Sequence, residues 1–112
     1  MPRTDSLEMG ELTDTSYYIL LSLMEAKHGY LIMKTIEQMT NNRFSIGPAS
    51  LYTTIKKLVK AKLIEELKQQ DAQNKKTYVT TENGIQLLKK EVQRRREMVQ
   101  HAEDIFKAKG EM

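Results

Sequence analysis

The chain has 112 residues, of which 39% are hydrophobic and 29% charged, with a net charge of +3 and no cysteine. That length allows one small domain with an appended element, and a modest core that oligomerisation commonly supplements. Disulfides and thiolate metal sites are excluded, no apolar run approaches the roughly 20 residues of a membrane span, and the N-terminus is no secretory signal, so the expectation is a soluble cytoplasmic protein with no membrane partner.

Residues 1–11 read as a flexible arm. A first helix is predicted from Leu12-Thr13-Asp14, with Thr13 or Asp14 as N-cap, through to a stop at His28-Gly29. Tyr17, Leu20, Leu21 and Met24 fall on one face of it. Gly29 suits its C-terminal cap or a tight turn. A second helix, beginning at Tyr30, repeats apolar residues through Ile36 and Met39. It stops at Asn41-Asn42, a pair that tolerates left-handed backbone angles.

The third helix is the one that points to chemistry. Pro48 suits a first helical position, where a missing N–H costs nothing. Leu51, Tyr52, Ile55, Leu58 and Val59 then mark one buried face. Ser50, Thr53, Lys57 and Lys60 occupy the opposite arc, with Lys56 at its edge. Between Glu37 and Glu65 there is no acid, while Arg43, Lys56, Lys57, Lys60 and Lys62 are all present. A solvated helix face usually mixes both signs. Hydroxyls and ammonium groups in a row suit base edges and phosphates in a DNA groove. Ser50, Thr53 and Lys57 are the expected base contacts, and Lys56 and Lys60 the expected phosphate contacts. Tyr30 either reaches a phosphate through its hydroxyl or packs. Tyr52, at the edge of the apolar face, reads as structural.

After Ile64 the period changes. Thr77, Tyr78, Val79 and Thr80 favour strand, and Asp71-Ala72-Gln73-Asn74 separates them from residues 65–70, which reads as a β-hairpin. Lys75 and Lys76 near its tip are further phosphate candidates. Three helices and a hairpin make an α+β, mostly helical winged helix-turn-helix over residues 12–81. Thr81 caps a last helix over residues 82–108, before a tail at 109–112. On it Ile85, Leu88, Val92, Arg95, Val99, Ala102 and Phe106 are spaced as a heptad seam. A rod of about 40 Å cannot be covered by so small a domain, so a second copy of the chain is its expected partner. Leu88, Val92, Arg95, Val99, Ala102 and Phe106 form the expected homodimer interface. Arg95 is the mismatch on that seam: it leans out, pairs with Glu91 or Glu97 of the other copy, or marks a polar gap.

These marks, taken in order, resemble the PadR family of transcriptional regulators over roughly residues 12 to 106. They are Tyr18-Ile19-Leu20-Leu21-Ser22-Leu23, then His28-Gly29-Tyr30, then Leu51-Tyr52 with Ile55, Leu58, Leu63 and Ile64, then Lys76-Thr77-Tyr78 with Thr81 and Gly84. The resemblance implies a winged-helix repressor that binds a near-palindromic operator in double-stranded DNA as a homodimer. It implies the short subclass with a single C-terminal helix, in which a small ligand between the subunits can release DNA. Some members of that subclass bind flat aromatic compounds with a tryptophan on the last helix. This chain has no tryptophan and carries Arg95 at about that point.

Other classes are weaker. Glu97, His101 and Asp104 share a helical face, but a lone histidine on a densely charged helix reads as surface, so no metal and no other cofactor is expected. No nucleophile–base pairing or phosphate-loop glycine pattern appears, so no enzyme activity is expected. The alternative is a winged helix used as a protein-interaction module; an interface of that kind has an apolar centre, and the Ser50/Thr53/Lys57 face has none.

Overall fold

The computed structural model describes residues 11–67 and 75–111. Most of the expected N-terminal arm, the hairpin tip Asp71-Ala72-Gln73-Asn74 and the last residue of the tail lie outside that range. Three helices form the core unit: α1 (Asp14–Ser22), α2 (Gly29–Met39) and α3 (Pro48–Lys60). Their apolar stripes meet in the middle, where Ile19, Leu20, Ile32, Ile36, Leu51 and Leu58 are fully enclosed. Thr13 is the N-cap of α1, its hydroxyl accepting from the Ser16 amide at 3.1 Å. Asn41 and Asn42 end α2 with φ of 53° and 62°. The Asn42 amide reaches back to the Glu37 carbonyl at 2.8 Å, closing the helix end.

The first helix is shorter than its apolar pattern predicts. It stops at Ser22, and Lys27–His28 form a two-residue strand, β1. Tertiary bonds compete for the carbonyls near its end. The Thr80 amide donates to the Leu23 carbonyl and the Thr80 hydroxyl to the Leu20 carbonyl, both at 2.8 Å. The Lys27 ammonium takes the carbonyls of Ser22 and Glu25. Gly29 therefore opens α2 instead of capping α1. Its lack of a side chain serves a different purpose: a Cβ there would sit 2.1 Å from the Tyr52 hydroxyl oxygen, so the Tyr52 ring could not keep its place over the start of α2.

Two further strands, β2 (Ile64–Leu67) and β3 (Thr77–Thr80), complete an antiparallel sheet in the order β1-β3-β2. Ile64 is paired with Thr80 and Glu66 with Tyr78. Ile64, Tyr78 and Thr80 turn inward and are buried.

The junction from sheet to last helix is tightly specified. The Thr81 hydroxyl donates to the Lys62 carbonyl at 2.7 Å and accepts from the Gly84 amide at 3.1 Å, capping α4 (Glu82–Ala108). Gly84 lets the first turn of α4 press on the α3–β2 link. A Cβ there would lie 2.4 Å from the Leu63 carbonyl oxygen and 2.6 Å from Thr80 Cγ2. A backbone atom cannot move aside cheaply, so Gly84→Ala is expected to destabilise the fold by about 1–3 kcal/mol. Thermal denaturation checks this; an unchanged melting temperature would contradict the close approach.

Candidate nucleic-acid interface

Burial of Leu51, Ile55 and Leu58 turns the other side of α3 to solvent, and Ser50, Thr53, Lys56, Lys57 and Lys60 are all exposed there. Among the described residues, Lys56, Lys57 and Lys60 make no ion pair. Their charge is thus available to an incoming anion. The hydroxyls of Ser50 and Thr53 stand on the same exposed face.

Beside this helix the wing hairpin closes two clefts. The larger, about 420 Å³, is bounded by Tyr52, Thr53 and Lys56 on the helix side and by Glu66, Lys76 and Tyr78 on the wing side. The smaller, about 270 Å³, brings together Tyr30, Lys75 and Lys76 around His28, Tyr52 and Tyr78. Three of the residues expected at phosphates, Tyr30 from one part of the chain and Lys75 and Lys76 from another, therefore converge on one opening. Tyr30 is 56% exposed, with the Lys34 ammonium 5.7 Å from its ring centre. Tyr52 joins the two clefts: its ring packs on Gly29 while about half its surface stays exposed. Burial, and then the nearby Glu66 carboxylate, push the Tyr78 hydroxyl above its ordinary titration range.

Sequence reasoning missed Glu66 on this face. Lys76 Nζ lies 3.8 Å from Glu66 Oε1. Parity gives only half of this: Glu66 follows Ile64 by two residues, so in a strand the two share a side, but that this side meets α3 is set by the packing of the sheet.

The seam residues of α4 divide into two groups. Leu88 is buried within its own chain, and Val92 and Arg95 are half-buried. Val99, Ala102 and Phe106 are exposed, together with Met98 and Ile105, beyond the reach of the helical core. Arg95 does not wait for Glu91 of another copy. Its Nε donates to its own Glu91 at 2.7 Å, its Nη2 to the Leu12 carbonyl at 3.1 Å, and its Nη1 lies 3.0 Å from Asp14. The guanidinium also sits 4.3 Å from the centre of the Tyr17 ring. Arg94 grips the same carboxylate at 2.6 and 3.0 Å. Glu91 itself is fully buried, which its sequence did not announce. Burial works against its charge, but hydrogen bonds from Arg94 and Arg95, then their charges, outweigh this and hold its carboxyl below the usual range.

On the same helix His101 is exposed, and the Glu97 and Asp104 carboxylates accept from Gln93 and Gln100. Among the described residues no cluster of acids and histidines could hold a metal ion, and no helix is long and apolar enough to cross a membrane.

A basic, exposed second helix of a helix-turn-helix, a lysine-bearing wing beside it and a long C-terminal helix define a winged-helix transcriptional regulator. The chain belongs to the transcriptional regulator PadR-like family, whose model matches residues 19–90. Members of that family are DNA-binding regulators, not enzymes. Solved structures share the fold. A transcriptional regulator from Clostridium thermocellum is 20% identical with a TM-score of 0.68, over 91% of this chain and 98% of that one. A PadR-like transcription factor from Bacteroides fragilis is 20% identical with a TM-score of 0.69, over 80% and 87%. A PadR family regulator from Eggerthella lenta is 19% identical with a TM-score of 0.68, over 80% and 75%. No curated protein matches the chain.

Proposed function

We propose that the protein is a cytoplasmic repressor that binds a near-palindromic operator as a homodimer. The observation that supports this most is the exposed, acid-free face of α3, with Ser50, Thr53 and Lys57 in a row and Lys56 and Lys60 beside them. In this reading Ser50, Thr53 and Lys57 meet base edges in the major groove. Tyr30, Lys56, Lys60, Lys75 and Lys76 meet phosphates, which position the protein without reading sequence. The unit over residues 12–81 binds DNA, and α4 joins two copies. Val92, Arg95, Val99, Ala102 and Phe106 lie along the dimer seam, with Leu88 anchoring the helix to its own core. An apolar groove of about 380 Å³ between Leu21 of α1, Met24 just beyond it, and Ile85 and Val92 of α4 offers the second copy a further foothold. Closing two copies on a two-fold axis sets two α3 helices at a fixed separation, and the operator symmetry follows from that. A small ligand that entered between the subunits and changed this separation would release the DNA.

The test is fluorescence anisotropy with DNA from upstream of the protein's own gene against a scrambled duplex, at two salt concentrations. Selective binding that weakens steeply with salt is expected. The triple change Ser50→Ala, Thr53→Ala and Lys57→Ala should remove most of the selectivity, since each good base contact is worth about 1–3 kcal/mol. Retained selectivity in the triple variant would move base reading to another face.

A further inference from the structure

Among the described residues of the wing, one acid faces the recognition helix beside the lysines, and strand pairing puts it there. Glu66 is paired with Tyr78 on β3. Tyr78 and Lys76 are two residues apart, so all three side chains share one side of the sheet. It is the side that buries Ile64 and Thr80, but Glu66 lies past the end of the core and stays exposed. There it lines the large cleft opposite Thr53 and Lys56 of α3. Its carboxylate lies 3.8 Å from the Lys76 ammonium, with the two side chains 46% and 62% exposed. Glu65 has the opposite parity and is turned to the outer side of the wing. Register alone therefore separates two adjacent acids, and only one of them faces the cleft.

We infer that Glu66 limits the affinity of the protein for DNA. Its carboxylate holds Lys76 in an ion pair and keeps a negative charge beside the path of the sugar-phosphate backbone. Lys76 serves a phosphate only when that pair opens. The inference rests on the DNA-binding reading of the α3–wing face. An exposed pair of this kind is weak in itself, but its carboxylate stays beside the backbone path and opposes any phosphate that would draw Lys76 away. Because phosphate contacts carry no sequence information, the restraint acts equally on operator and on bulk DNA. It tunes how long the protein dwells on any DNA and leaves its choice of site alone.

The experiment compares wild type, Glu66→Gln, Lys76→Ala and the double variant, by anisotropy on the upstream duplex and a scrambled duplex across a salt series. Circular dichroism confirms that each variant is folded. Glu66→Gln preserves size and removes only charge. It should tighten binding to both duplexes by roughly five- to tenfold, and should steepen the log–log salt dependence by about one unit as one more lysine engages. In the Lys76→Ala background the same change should gain clearly less. Wild type that binds DNA while Glu66→Gln gains nothing would overturn the inference and leave the regulator reading standing. A gain that persisted undiminished without Lys76 would overturn the pairing. Wild type that bound neither duplex at low salt would remove the DNA-binding reading of this face and the inference with it.

Discussion

Val99→Asp is expected to make the protein monomeric in sedimentation velocity and to weaken operator binding by roughly a hundredfold or more. Val99 is 57% exposed, and Met98, Ile105 and Phe106 are exposed to similar degrees on the same half of α4. An apolar stripe of that kind on one copy marks an interaction surface. An aspartate facing its symmetry mate would desolvate two carboxylates against each other, a double penalty that no helix contact there offsets. The loss in DNA affinity follows from the proposed dimer, in which two linked α3 helices would bind as one unit, whereas a monomer would hold a single half-site. The substitution is expected to leave the fold alone, since Val99 is exposed and lies outside the core cluster. Val99→Leu should stay dimeric. A Val99→Asp protein that sedimented as a dimer would refute the seam.

The second large effect concerns Glu91. Replacing Arg94 and Arg95 together by alanine should cost roughly 3–5 kcal/mol, because a fully buried carboxylate is left without its partners. Glu91→Gln should cost less, since guanidiniums 35% and 30% exposed can turn to water. The pH dependence separates this from simple loss of packing. In the wild type the arginines hold Glu91 below its unfolded value. Its stabilisation is therefore present above about pH 4 and lost as the pH falls through the folded value. Without the arginines, burial alone raises the folded value above the unfolded one. The sign then reverses, and acid should favour the folded state of the double variant at this site. Melting temperatures measured from pH 3 to 7 test it; parallel profiles for the two proteins would sink the assignment.

The network also fixes where α4 leaves the domain. Glu91 is bound to two arginines on its own helix, and those reach Asp14, Glu11 and the Leu12 carbonyl at the start of α1. The helix direction past Arg95 is thus tied to α1, and through α1 to α2 and α3. In a dimer, that direction sets the distance between recognition helices.

Much of this was legible in the residues. Pro48, the apolar stripe behind it and the acid-free stretch to Ile64 place α3 and its exposed face without any structure. Thr13, Thr81 and the Asn41-Asn42 pair mark helix ends correctly because caps and left-handed turns are local chemistry. Gly29 reads from the sequence as a cap or turn residue and Gly84 as an unusual residue near a helix start, but the contacts that require glycine at either are not legible there. One lies under the Tyr52 ring and the other against the Leu63 carbonyl, contacts between segments far apart in the chain. The overlong first helix failed for the same reason. Its apolar pattern continued, but Thr80 captured the carbonyls of Leu20 and Leu23 from across the sheet.

What the sequence by itself determined is whatever depends on neighbours within a few residues: periodicity, caps, turn residues, the sign of charge along one face and the heptad spacing of α4. Tertiary structure alone decided three things. It made Lys27–His28 a strand, by offering β3 as a partner. It gave Arg95 to Asp14 and Tyr17 of its own chain, because α4 crosses α1 at that turn. It turned Glu66 toward α3, because register leaves a strand side chain only two directions and the core had claimed one of them for Ile64. Each is a pairing between distant segments, and distance along the chain hides such pairings from any local pattern.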